Sequence, residues 1–135
     1  GDTANKTSIT IPSGFLDFDT AYSVQVKFRD NATPPLESAY SSAVNFTTPL
    51  VDQPEIQTIT PAFNPTINVD SISMKSGYSH SSSDWQFSPA NTFATIIHQS
   101  LGNSTNLNSY TLPNAVNLSS NTTYYVRIRF NINPT

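Results

Sequence analysis

The chain has 135 residues, of which Ser, Thr and Asn supply 50, charged residues only 11%, and the formal net charge is −3. That balance gives no basic footprint for nucleic acid and no polybasic patch for a membrane surface, and no apolar run approaches the roughly 20 residues of a spanning helix. The absence of cysteine removes thiol chemistry, cysteine zinc sites and disulfides, and the ten prolines argue against long helices.

Residues 7–12 alternate and end at Pro12, which predicts a short edge strand. Residues 13–19, with Gly14, Asp17 and Asp19, read as a turn. Residues 20–29 predict a strand with Tyr22, Val24, Val26 and Phe28 on one face and Ser23, Gln25, Lys27 and Arg29 on the other. The run Asn-Ala-Thr-Pro-Pro places a loop at 30–38. Residues 39–48 return as a strand with Val44 and Phe46 inward. Leu50–Pro54, stiffened by Pro49 and Pro54, reads as a linker.

A strand at 55–60 follows, then a turn bracketed by Pro61 and Pro65. Thr66–Met74 predicts a strand whose apolar parity switches after Val69, implying a bulge near Asp70 and Ser71. Residues 75–82 read as a polar loop and 83–88 as a strand with Trp85 and Phe87 on one face and Asp84 and Gln86 on the other. A turn at 89–91, a strand at 93–100, a polar turn at 102–108 and strands at 109–112 and 122–131 complete the pattern. Short strands with frequent turn signals and no helical period predict an antiparallel β-sandwich.

The chain also repeats itself. Thr10-Ile11-Pro12 matches Thr111-Leu112-Pro113 at an offset of 101, and Tyr22, Val24, Val26 and Phe28 match Tyr124, Val126, Ile128 and Phe130 at an offset of 102. An offset of about a hundred residues is the length of one sandwich domain. The expected division is residues 1–49 as the C-terminal part of one repeat, 50–54 as a linker, and 55–135 as a second repeat lacking its last strand. Open halves of this kind call for a longer natural protein, or for strand addition from a neighbouring subunit.

The spacing Leu-x5-Tyr occurs twice, as Leu16…Tyr22 and Leu118…Tyr124. It resembles the tyrosine corner of fibronectin type III and related immunoglobulin-like domains. Ser41–Pro49 resembles the last strand of such a repeat running into its linker. His80–Phe87, Phe93 and Thr122–Arg129 are similar to the variant type III-like repeats of bacteriophage tail fibres and large bacterial surface proteins. The resemblance implies tandem Greek-key sandwiches, with Leu16, Tyr22, Leu118 and Tyr124 as corner residues. The chain departs from the family in its tryptophan: Trp85 reads as a third-strand residue where type III domains place theirs in the second.

Trp85 and Phe87 alternate with polar residues and read as core. Tyr78 and Tyr110 read as loop-end aromatics able to contact a ligand such as a sugar ring. His80 and His98 lack the further ligands of a zinc site, and Asp17, Asp19 and Asp30 read as turn formers rather than a calcium site. Lys27, Arg29, Arg127 and Arg129 form an outward stripe, read as a solvated sheet face. No nucleophile elbow, phosphate loop or paired carboxylate supports catalysis, and no cofactor is implied. The expected role is a structural or adhesive module of an extracellular, cell-surface or virion fibre, touching neighbouring repeats or subunits. The alternatives are a carbohydrate-binding module contacting surface glycans and an accessory domain of a secreted hydrolase.

Overall fold

The computed structural model describes residues 7–12 and 14–135. Residues 1–6 of the expected first repeat, and Ser13 of the expected turn, lie outside the described residues. The chain divides into two compact units between Leu50 and Val51. The described residues contain strands and no helix, and every strand pair is antiparallel.

The first unit holds β1 (Ala21–Val24) and β2 (Val44–Thr47), with Tyr22 opposite Phe46 and Val24 opposite Val44. The predicted strand at 20–29 keeps its regular ladder only to Val24. Beyond it, Ser41 Oγ accepts the Val26 N–H at 3.1 Å and Ser38 Oγ accepts the Phe28 N–H at 2.9 Å. The return bonds run from backbone to backbone, from Ser41 N to Val26 O and from Ser38 N to Phe28 O. Serine hydroxyls thus replace two carbonyl acceptors, so the segments stay paired without regular strand geometry. Asp30 closes the far loop, its Oδ1 accepting the N–H groups of Ala32 and Leu36.

Two expectations for this unit are corrected. Residues 7–12 form no strand and lie exposed. Val44 and Phe46 do not face a covered interior: Val44 is 62% exposed, and Phe28, on the same alternating face as Tyr22, is 66% exposed. Among the described residues the unit contributes a single two-stranded layer, with no second layer over that face.

The second unit contains two three-stranded sheets. One is ordered β3 (Ile56–Ile59), β4 (Thr66–Val69), β7 (Ser109–Thr111); the other is ordered β6 (His98–Asn103), β5 (Tyr78–Ser88), β8 (Tyr125–Pro134). They share one core: Ile67 and Val69 from β4, Tyr110 and Leu112 from β7 and its end, Trp85 and Phe87 from β5, and Phe130 from β8. This is a sandwich-like arrangement, and Trp85 stands on the unit's third strand. Val51 bridges Met74 and the Asp52 N–H donates to Ser73 O, tying the first residues after Leu50 into this unit.

Several boundaries differ from expectation. The polar loop predicted at 75–82 is strand from Tyr78 onward, because its serines pair along β8 instead of turning. Ser81 is an extra residue in that pairing and donates its hydroxyl to Asn131 O. In place of a bulge in a continuous strand, β4 stops at Val69. There Asp70 bonds Glu55 through both backbone and carboxylate, and Asn108 caps the Asp70 carbonyl. The strand predicted at 93–100 begins only at His98 and runs on to Asn103.

Phe87 packs against both Tyr110 and His98. Phe87→Ala is expected to destabilise the second unit by about 3–5 kcal/mol. Urea unfolding followed by fluorescence of Trp85, the chain's single tryptophan, measures this directly.

Candidate functional site

The densest grouping of side chains with chemical potential lies along β5, on both its faces. On the inner face, Trp85 stacks on Tyr110 with centroids 5.5 Å apart, and Tyr110 stacks in turn on His98. The Tyr110 hydroxyl and His98 Nε2 share a hydrogen bond of 2.8 Å. The Trp85 indole N–H donates to Asn106 O, in a loop folded around the Asn103 side chain, which accepts the N–H groups of Thr105 and Asn106. Each polar tip of this aromatic group therefore meets a protein partner, as burial demands.

Tyr110 is only 8% exposed. The expectation that it serves as a loop-end ligand contact is corrected: alternation in the short strand β7 turns its ring into the core. Tyr78 is half-buried at the start of β5, opposite Pro134. The structure does not bring the two tyrosines onto a shared platform.

His80 stands further along β5, its ring edge-on to Phe130 at 4.7 Å. Its Nε2 lies 2.9 Å from Ser83 Oγ. Ser83 spends its single hydroxyl proton on Leu107 O at 2.6 Å, so His80 Nε2–H is the donor of that pair. Burial lowers the His80 pKa from its ordinary 6.5, against a smaller upward pull from the Ser82 backbone.

On the outer face, Asp84 is buried among bonds from three directions. Its Oδ1 accepts the Gly102 N–H at 2.7 Å and the Asn131 amide at 3.1 Å, and its Oδ2 accepts Arg129 Nε at 3.0 Å and the same guanidinium's terminal nitrogen. A bulge creates the first of these bonds. Where β5 has Asp84 alone, β6 has Leu101 and Gly102, and Gly102 takes a φ of 61° that favours glycine. Burial pushes the Asp84 carboxyl up. The bonds from Gly102, Arg129 and Asn131, with the Arg129 charge, outweigh that and hold it below the usual aspartate value. Gln86 extends the polar row, donating to Gln99 and accepting from Arg127, whose guanidinium lies over the Phe93 ring.

The outward arginines are thus engaged across strands, which alters the expectation of a merely solvated stripe. In the first unit Lys27 pairs with Glu37 and lies over Tyr40. The sequence reading missed the Asp84–Arg129 pair. Its signal was available as two opposite charges on the outward parity of two strands, but only strand register brings them together.

Both corner tyrosines are bonded at their hydroxyls. Tyr22 Oη accepts the Asp17 N–H at 2.8 Å, and Tyr124 Oη accepts the Ser119 N–H at 3.0 Å. The surrounding bonds recur as well. Thr20 donates to Phe18 O and Thr122 to Ser120 O, while Phe15 N–H reaches Pro12 O and Val116 N–H reaches Pro113 O. Asp19 and Asn121 both take left-handed backbone, at φ 49° and 52°, three residues before the tyrosine. Leu16 and Leu118 are half-buried, and Leu118 packs against the second unit's core.

Among the described residues, no three acidic, histidine or cysteine side chains gather as metal ligands. No helix of the described residues is long and apolar enough to cross a membrane. No family model, curated protein or solved structure matches the chain.

Two pH effects follow. Because the folded-state pKa values of His80 and Asp84 are both lowered, each contributes stability at neutral pH that is lost on acidification. His80 begins to act below pH 6.5 and Asp84 below pH 3.8. Unfolding free energy measured from pH 7 to 5 is expected to fall, and His80→Gln to flatten that fall; Asp84→Asn is expected to lower stability at pH 7 and flatten the decline below pH 4. Tyr124→Phe, which leaves the Ser119 N–H without its acceptor, is expected to cost about 1 kcal/mol in the same urea assay.

Proposed function

We propose that the chain carries parts of two successive fibronectin type III-like Greek-key repeats. We further propose that it serves as a spacer and lateral-contact module of an extracellular, cell-surface or virion fibre. The observation that carries the reading is the recurrence of the tyrosine corner. Sequence repeats drift in their side chains, but here the hydroxyl bond, the threonine bond, the preceding turn and the left-handed residue recur at matching positions.

The action is geometric. A repeat of this kind sets a fixed length of chain and presents side chains on a rigid sheet. The outer face of the β6-β5-β8 sheet satisfies its own charges, Asp84 with Arg129 and Gln86 with Arg127. Such a face leaves weak, reversible contacts to Ser, Thr and Asn side chains, which suits packing beside neighbouring repeats. A sugar platform is not carried forward, since one of its two rings, Tyr110, fills the core.

The experiment is the intact mass of the protein isolated from its source. A mass many times the 14.8 kDa of this chain is expected, with evenly spaced beads of about 4 nm visible by electron microscopy, on the order of the size of a compact domain. A monomeric source protein of 14.8 kDa without filaments would overturn the reading.

A further inference from the structure

Register lines up three polar side chains straight across the outer face of the β6-β5-β8 sheet: Gln99 lies opposite Gln86, and Gln86 lies opposite Arg127. Arginine can only donate, which fixes the direction of every bond in the row. Arg127 Nε–H donates to Gln86 Oε1 at 2.8 Å, so the Gln86 amide nitrogen is left to donate to Gln99 Oε1 at 3.0 Å. Gln99, exposed on β6, then keeps its own amide N–H groups for a further partner. At the other end, the terminal nitrogens of Arg127 meet no acceptor among the described residues. Each oxygen of the row is already bonded, and both of its ends are donors.

The row also carries an uncompensated positive charge. Two residues further along the same face, Arg129 is held by the Asp84 carboxylate, and in the first unit Lys27 meets Glu37. Arg127 has the neutral Gln86 and the Phe93 ring, whose centroid lies 4.4 Å from the guanidinium carbon. The ring holds the plane of the guanidinium without neutralising it. Phe93 stands in the connection 89–97 with left-handed backbone, φ 54°, a conformation rare for a bulky side chain. Asparagine or glycine would make that turn with less strain; the contact with Arg127 is what phenylalanine adds there. With Nε bonded and one face covered, the guanidinium presents its two terminal nitrogens as a fixed fork, the geometry that takes a carboxylate by two parallel bonds. Tyr125 precedes Arg127 by two residues on the same outward parity and is 39% exposed.

We propose that this face binds a sugar residue bearing a carboxylate, as in a uronic acid polysaccharide. Arg127 takes the carboxylate, Gln99 donates to a hydroxyl or ring oxygen, and Gln86 and Phe93 act as positioning residues that hold the guanidinium. The exposed Tyr125 ring offers a surface for the apolar face of the pyranose. Donors at both ends of the row select a ligand rich in acceptors. A polypeptide backbone brings an N–H with nearly every carbonyl and would leave those donors unmatched here. An acidic peptide brings several charges to a face with one uncompensated cation, whereas a uronate brings one charge per ring with hydroxyl oxygens around it. The loop-end tyrosines Tyr78 and Tyr110 take no part. The site is built from β5, β6, β8 and the connection 89–97 within the second unit, and it stands whether or not the chain repeats.

The test titrates the whole 135-residue chain with a short oligogalacturonate, with its fully methyl-esterified form, and with a glutamate peptide of the same length, read by NMR of backbone and side-chain N–H groups. The expected result is saturable binding in the millimolar range that shifts Arg127, Gln86 and Gln99 and weakens as salt is added. The methyl ester keeps the rings and loses the charge, and is expected to bind at least about tenfold more weakly. Arg127→Lys is expected to lose about as much, because an ammonium has no planar fork. Arg29→Gln, which removes one positive charge from the first unit, is expected to leave binding unchanged. Esterification alters the ligand alone, so the folding of a variant does not enter. Absence of any shift on the outer face at millimolar sugar overturns the site, and so does equal binding of the ester. A glutamate peptide that binds as tightly as the uronate overturns it too. A source protein of many repeats that ignores the uronate would remove this inference and leave the fibre reading standing. Uronate binding by a protein that proves short would do the reverse.

Discussion

A sheet with one apolar face is stable only when something covers that face, and both units turn on this constraint. In the second unit the cover is the β3-β4-β7 sheet, and the meeting point is the indole of Trp85 against the phenol of Tyr110. From that contact the remaining order follows. The indole N–H must find an acceptor, which fixes the 103–107 loop, and the same loop accepts the Ser83 hydroxyl. Phe130 reaches 6% exposure in this setting, whereas its counterpart Phe28 in the first unit stays 66% exposed. Sequence and corner geometry are repeated between the two; among the described residues, what differs is the second layer.

β5 shows a second constraint, the cost of burying polar groups without partners. As the central strand it is covered on its inner face by the core and on its outer face by side chains from β6 and β8. Ser83, Asp84 and Ser88 are all buried on it, and each has a bonding partner: Leu107 O, the Gly102–Arg129–Asn131 set, and Ala90 O. Among the described residues no buried side-chain nitrogen or oxygen lacks a hydrogen bond. A serine-rich strand can thus sit at the centre of a sandwich because small hydroxyls bond locally and leave room for the large aromatic rings beside them.

This also explains what was legible in the sequence. The alternation of Trp85 and Phe87 with Asp84 and Gln86 marked the core face, since large apolar residues at period two have one stable orientation. The Leu-x5-Tyr spacing marked the corners because they are local: hydroxyl and partner lie five residues apart. The extent of β5 was not legible. Residues Tyr78–Ser82 carry loop composition and become strand only through pairing with β8, some fifty residues away. Tyr110 illustrates the same limit. A single tyrosine in a three-residue strand has no periodic context, so its facing is decided by register with Ile67 and by Trp85 across the core. The Asp84–Arg129 pair likewise exists only once β5 and β8 are in register.

The two units together bear on how a module of this kind would work in a fibre. If each repeat closed fully on itself, only linkers would connect neighbours, and the joint would be as loose as the linker. On the proposed reading, the element that completes a sheet would be the one that comes after the tyrosine-corner strand, as β2 follows β1. Completion of the sheet and connection to the next part of the assembly then fall on the same segment. Tension along such a chain would load backbone bonds of a β-ladder in shear before it reached the core. The corner bonds at Tyr22 and Tyr124 resist the same displacement, since each ties the base of the loaded strand to the chain five residues upstream. On the proposed reading, the recurrence of the corner is therefore a mechanical requirement as well as a trace of repetition.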